Sequence, residues 1–360
     1  MNATSSRTPT SDDIISDSVL WVTAVTFRVC INSALSVGAF ITNIINANVF
    51  RRMGIDHSTE SFFLLSLSDG LLGFIGLFGG LTNGLRYLGP PHIARSTYLF
   101  YVLLMAAAAV PSLTSLVATT VIAVVRCCSV ALPFRVRNVF TARRQRYLIL
   151  LCTALSLTFS IYGLSGTRFA VRVHPSTNIT FLAIVFHPDY IQRNRQSDIF
   201  RGVVFYVCIT ITSICLVVLI IALRRSYNFR KETYRTGTTT TSNSSKRDTV
   251  LGKNRADTQS PAKKPFRRFK PGSKEAQVVT VVVLVSALFT ICNIPAMAAS
   301  IVRQAVPEMS NVGRLRRSFN LFVMMAECFL MFNATMNIAI YLKFNTRYYT
   351  AFLELMRQRK

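Results

Sequence analysis

Two carboxylates stand in apolar surroundings. Asp69 lies in Phe62-Phe63-Leu64-Leu65-Ser66-Leu67-Ser68-Asp69-Gly70-Leu71-Leu72, and Glu327 in Met324-Met325-Ala326-Glu327-Cys328. Where such runs cross a bilayer, a charge at the centre costs roughly 2.5–3.5 kcal/mol or more. Each acid must therefore meet a cation, a hydrogen-bond donor or water, or be held neutral. That is the chemistry of binding and switching. Bond-breaking chemistry has no visible agents. His57, His92, His174 and His187 fall in predicted loops or at the edges of apolar runs. No Gly-x-Ser-x-Gly or His-Glu-x-x-His pattern occurs, so an intramembrane hydrolase has neither base nor metal site, and the chain does not read as an enzyme.

The elements that position these acids are long. Of the 360 residues, 51% are hydrophobic and 16% charged, against roughly 25% charged in a soluble domain. The net charge of +26 invites a nucleic-acid reading, but the basic residues gather between long apolar stretches, which argues against nucleic acid and for a multi-spanning membrane protein. Seven stretches reach the roughly 20 residues a crossing helix needs: 20–50, 61–83, 97–126, 147–165, 201–223, 276–302 and 319–342. None alternates with a period of two, so a membrane β-barrel is not expected.

Orientation follows from the ends of the first stretch. Its leader carries Asp12, Asp13 and Asp17, and Arg51 and Arg52 follow it, which predicts an anchored first helix with its N-terminus outside. Residues 1–19 then form an extracellular N-terminus, 20–343 the membrane domain and 344–360 a helix and short tail. The inner segments hold 28 of the 41 basic residues, 15 of them from Arg224 through the third inner loop to Lys274. That loop, 225–274, is rich in Thr, Ser, Lys and Arg and reads as disordered. Its basic run suits the anionic inner leaflet. Phe344, Tyr348, Phe352 and Met356 recur every four residues and predict a short amphipathic helix on the inner membrane surface. Asn2 and Asn178 head glycosylation sequons on the outer side. All eight cysteines lie in the spans or at the inner end of the third, so no outer disulfide is expected.

Five motifs, in order and on the right spans, complete the pattern. They are Thr42-Asn43, the Asp69 stretch, Val125-Arg126-Cys127 with Pro133-Phe134, Phe289-Thr290-Ile291-Cys292-Asn293-Ile294-Pro295, and Asn333-Ala334-Thr335-Met336-Asn337-Ile338-Ala339-Ile340-Tyr341. Together they resemble the rhodopsin-like (class A) G-protein-coupled receptors: Gly-Asn, Leu-Ala-x-x-Asp-Leu, Asp-Arg-Tyr, FxxCWxP and NSxxNPxxY. A narrower likeness, through Ile44-Ile45-Asn46 and Val-Arg-Cys, points to lophotrochozoan (molluscan) chemosensory receptors and related orphan peptide-type receptors. The fold implied is all-α: a seven-transmembrane helix bundle with a short amphipathic eighth helix.

The resemblance also implies roles. Asp69, Ser115, Asn333 and Asn337 would converge as the family's sodium pocket; one carboxylate with hydroxyl and amide oxygens suits a hard cation. The alternative is a hydrogen-bonded cluster without an ion. Arg126 would pair with Glu275, 20 residues before Pro295, and hold the inactive state until the sixth helix swings out; the alternative is two interfacial charges reaching for water. Pro295 would supply the pivot, and Tyr341 would move inward toward Arg126. Ala108 stands where amine receptors carry Asp, which argues against a monoamine. Asn293, Glu327, Arg201 and Arg303 are the expected pocket residues, the two arginines meeting an acidic group on the ligand. The lost Asp before Arg126 predicts raised basal activity unless Glu275 compensates.

The resulting expectation is a plasma-membrane receptor transducing an extracellular small molecule or peptide to a heterotrimeric G protein, with arrestin acting through the third inner loop. A seven-span ligand-gated chemoreceptor channel is the alternative; it would not need the Arg126–Pro133 spacing or the Asn337–Tyr341 motif.

Overall fold

The computed structural model describes residues 15–56, 59–131, 140–173, 180–240, 274–306, 308–309 and 314–358. Seven of its helices are long and apolar enough to cross a membrane: Asp17–Met53, Glu60–Leu88, Leu99–Ala131, Ala142–Leu164, Gln192–Arg225, Gln277–Arg303 and Arg316–Phe344. We refer to them as the first to seventh spans. They form the seven-helix bundle that the apolar stretches predict.

Local signals fix where the helices begin. Ser16 caps the first span, its hydroxyl accepting from the Val19 N–H at 3.3 Å. Thr141 caps the fourth in the same way, accepting from the Arg144 N–H. Both satisfy donors that a helix start leaves without partners. The short last helix, Thr346–Arg357, starts at Asn345, whose side-chain oxygen accepts from the Tyr348 N–H at 3.1 Å.

The third span lies deepest. Leu116, Val117, Val121 and Ile122 on it pack with Val281, Val285 and Phe289 of the sixth. Apolar side chains such as Leu151, Leu155, Ile161, Ile214 and Ile221 instead point outward from the bundle, the face a lipid-exposed helix presents. The first two spans approach closely. A Cβ at Gly73 would lie 2.6 Å from the Phe40 backbone nitrogen, so only glycine fits that crossing.

Three features depart from the sequence reading. The first span is not a uniform α-helix: Val25–Ile31 is a π-helical turn, and it carries the buried Arg28. Such turns concentrate at functional positions. The fifth helix runs from Tyr190 to Thr240, so 225–240, expected as disordered loop, is helical. Extending a formed helix needs no new nucleus, and Arg224 to Arg235 is rich in good helix formers. Residues 241–273 lie outside the described residues. Finally, Thr167–Val173 (β1) and Thr180–Phe186 (β2) form an antiparallel hairpin between the fourth and fifth spans, in register from Thr167 opposite Phe186 to Val173 opposite Thr180.

Candidate functional site

Asp69 is fully buried in the second span, and its two oxygens tie two other spans to it. Ser115 of the third span donates to one at 2.5 Å, and the Asn337 amide of the seventh donates to the other at 3.0 Å. The donors offset part of the carboxylate's desolvation. The side-chain oxygens of Asn333 and Asn337 are buried without a hydrogen-bond partner among the described residues. Of the four residues expected to converge, Ser115 and Asn337 thus both bond to Asp69, and Asn333 joins Asp69 and Ser115 in the wall of one cavity.

That cavity, about 300 Å³, runs between the third, fifth, sixth and seventh spans. Asp69 and Asn333 lie at its inner end. Asn293 lines it from the sixth span, and Arg201 and Arg303 line it near the span ends. Asn293 is buried and donates to its own helix at the Phe289 carbonyl, 2.8 Å away. With this amide where the family has tryptophan, the space beside Asp69 and the space beside the arginines are continuous. Arg201 donates to Asp198 at 2.6 Å, so its charge is largely matched within the fifth span.

Two expected pocket residues are elsewhere. Ala108 does not line the cavity; its neighbour Ala109 does. Glu327 turns away from it to the first span and meets Arg28 in a two-pronged ion pair, at 3.3 Å to Nε and 3.4 Å to a terminal nitrogen. Arg28 also lies over the Tyr101 ring, 5.8 Å from its centre. The physical reason is plain: a buried guanidinium draws a carboxylate within reach to match its charge. The signal was in the sequence, since Arg28 is a lone cation in an apolar run.

The opposite end of the bundle holds Arg126. A second cavity, about 530 Å³, is lined there by Arg126, Arg52, Thr59, Gln277 and Arg347 among others. The side chain of the expected partner, Glu275, lies outside those described, as do Asn2 and Asn178. Among the described residues, the carboxylate of Asp56, in the turn before the second span, puts an acidic charge near Arg126. The Asp56 carboxylate also accepts from the Thr59 N–H at 3.0 Å and lies 3.9 Å from Arg347 of the last helix. Thr346 donates to Gln277 at 2.8 Å, which ties the last helix to the foot of the sixth span. Pro295 lies inside the sixth helix, between Asn293 and Ala296 in the wall of the first cavity.

Tyr341 sits among rings. Phe50, Phe62 and Tyr348 surround it with centroids 5.3–5.7 Å away. The Tyr348 hydroxyl donates to Asn46 at 2.6 Å, and burial raises the phenol's pKa above the ordinary value, so it remains a donor. Asn46 donates to Asn43, and Asn43 donates to the Ala334 carbonyl of the seventh span. The Tyr341 hydroxyl, by contrast, is buried without a partner among the described residues. A buried unsatisfied hydroxyl costs about 1–3 kcal/mol. Tyr341→Phe is therefore expected to leave the midpoint of thermal unfolding unchanged or higher. A fall in that midpoint would show that the hydroxyl already has a stabilising role in this conformation.

A membrane bundle of seven helices, with a cavity from one end to a buried acid and an arginine-lined cleft at the other, has the architecture of a transmembrane receptor. Residues 56–341 match the family described as 7 transmembrane receptor (rhodopsin family), and the chain belongs to that family of G-protein-coupled receptors. It is accordingly a multi-pass membrane protein. No match is found among curated proteins.

Proposed function

We propose that the protein passes an extracellular chemical signal, a small molecule or peptide, to a heterotrimeric G protein at the plasma membrane, with its N-terminus outside. The observation that carries this reading is the cavity that joins Arg201 and Arg303 to Asp69, whose carboxylate is bonded to both the third and seventh spans. A ligand entering between the arginines presses on the same helices that Asp69 holds together. An acidic group on the ligand suits Arg303, and the Pro295 pivot then lets the foot of the sixth span move. That movement separates Gln277 from Thr346 and opens the cleft over Arg126 to the G-protein α subunit. Arrestin would act from the same side, through residues of the third inner loop.

A sodium ion fits the floor of the cavity. Asp69 supplies the charge, and Ser115, Asn333 and Asn337 supply neutral oxygens, two of them buried acceptors without donors among the described residues. The bound ion would add charge balance there and favour the conformation in which the second, third and seventh spans converge. A ligand that binds one folded state stabilises it by RT ln(1 + [L]/Kd), about 2.7 kcal/mol at a hundredfold excess. Sodium is therefore expected to raise the thermal midpoint of the wild type and not that of Asp69→Asn; equal responses would remove the ion from the account.

The receptor reading itself is tested in cells carrying the tagged receptor and a promiscuous α subunit, under a panel of amino acids, carboxylates and short peptides. A second-messenger response lost in Arg126→Ala supports it. A membrane current that persists without the α subunit would replace it with a ligand-gated channel.

A further inference from the structure

Four charged residues line the cavity that reaches Asp69: Asp69, Asp198, Arg201 and Arg303. Asp198 and Arg201 neutralise each other at 2.6 Å. Arg303, exposed at the end of the sixth span, has no acidic partner among the described residues. What remains is one positive charge at the mouth and one negative charge at the floor. The walls between them are apolar or neutral: Leu113, Phe205, Phe289, Ala296 and Leu330, with Ser112 and Asn293 as hydrogen-bonding stations.

The dimensions restrict the occupant further. Ten residues separate Asn293 from Arg303, a helix rise of roughly 15 Å. The cavity's volume of about 300 Å³ is drawn out along the sixth span, from Phe289 to Arg303, which favours an elongated occupant. At the floor, the buried side-chain oxygens of Asn333 and Asn337 have no donor among the described residues. A carboxylate with two donor-seeking amide oxygens suits an ammonium group as well as a metal ion.

We propose that this cavity binds a linear zwitterion, entering amine first, with its ammonium at Asp69 and its carboxylate at Arg303. Binding at the floor then displaces the sodium ion, so ligand and sodium compete although the carboxylate end never touches the ion's site. This deepens the ligand class of the receptor reading and rests on it for the direction of entry. The charge separation excludes simple monocarboxylates as full-length occupants, because they leave Asp69 unmatched.

An extended peptide of four residues spans about 14 Å, so tetraglycine is a suitable probe. Its binding would be measured on the purified full chain in nanodiscs, with no G protein present. Replacing sodium by the bulky cation N-methylglucamine is expected to tighten tetraglycine binding about tenfold. N-acetyl-tetraglycine, which lacks the ammonium, is expected to bind at least tenfold more weakly and to ignore sodium. Arg303→Ala should erase the preference for tetraglycine over its C-terminal amide, and diglycine, too short to reach both ends, should bind more weakly than tetraglycine. The proposal is overturned if tetraglycine does not bind at millimolar concentration, if acetylation and sodium change nothing, or if diglycine binds as tightly. The wild-type comparisons alone decide it should Arg303→Ala fail to fold. Because no G protein is needed, zwitterion binding without coupling would overturn the receptor reading alone, and coupling to a ligand of another class would overturn this inference alone.

Discussion

Glu327→Ala is expected to destabilise the protein by about 3–5 kcal/mol, the cost of stranding one member of a buried ion pair. Only a tenth of the Arg28 side chain and about a quarter of Glu327 are exposed. Arg28 holds two of its nitrogens to the two carboxylate oxygens. Removing the acid leaves a guanidinium in the outer part of the bundle with only the neutral Tyr101 and Tyr87 side chains as described support. Arg28→Ala should cost a similar amount. Replacing both by neutral residues should cost less than either single change, because the stranded charge disappears; thermal unfolding in nanodiscs checks all three. Single variants as stable as the wild type would mean that the pair contributes nothing to holding the first span against the seventh.

The second large effect is on signalling. Asp56→Asn is expected to raise ligand-independent nucleotide exchange several-fold. The family's acid before the arginine is Val125 in this chain, and among the described residues Asp56 puts an acidic charge near Arg126 from the neighbouring turn. Asparagine keeps the oxygen that caps Thr59, so the substitution removes the charge and spares the turn. Asp56 is half-exposed and its pairs are screened, which limits the interaction to about 1 kcal/mol. Removing that from one side of a two-state equilibrium shifts it roughly fivefold. Exchange equal to the wild type at matched surface density would assign the restraint on Arg126 to another group.

The contrast between Asp56 and Glu275 shows where the sequence was legible. Membrane spans announce themselves by length and hydropathy, and seven helices stand where seven apolar runs predict them. Asp69, Ser115 and Asn337 were legible because a family motif fixes their places, and they touch. Asp56 was not legible: it lies in a turn, 70 residues before Arg126, and nothing local marks an electrostatic influence across that separation. Arg28 was half legible. Its charge within an apolar run called for a partner, but choosing Glu327 over the cavity needed the π-helical turn and the packing of the first span against the seventh. The helical stretch at 225–240 escaped notice because polar composition describes a segment's own folding, while a helix already formed upstream extends into it at little cost. The β1–β2 hairpin escaped because the apolar residues of β1, Phe169, Val171 and Val173, stand largely exposed, so β1 carries no alternation of buried and exposed positions.

The central claim is that Arg126 forms the floor of a cleft that drives nucleotide exchange. The most direct test reconstitutes the purified full chain in nanodiscs with a heterotrimeric G protein and follows loading of a fluorescent guanine nucleotide. Asp56→Asn serves as a ligand-free activated form. The account predicts exchange above the receptor-free rate for the wild type, a further rise for Asp56→Asn, and a return to the receptor-free rate when Arg126→Ala is added to it. Exchange that continues in the double variant, or that never exceeds the receptor-free rate while the protein is folded and its Asp69 site responds to sodium, would contradict it.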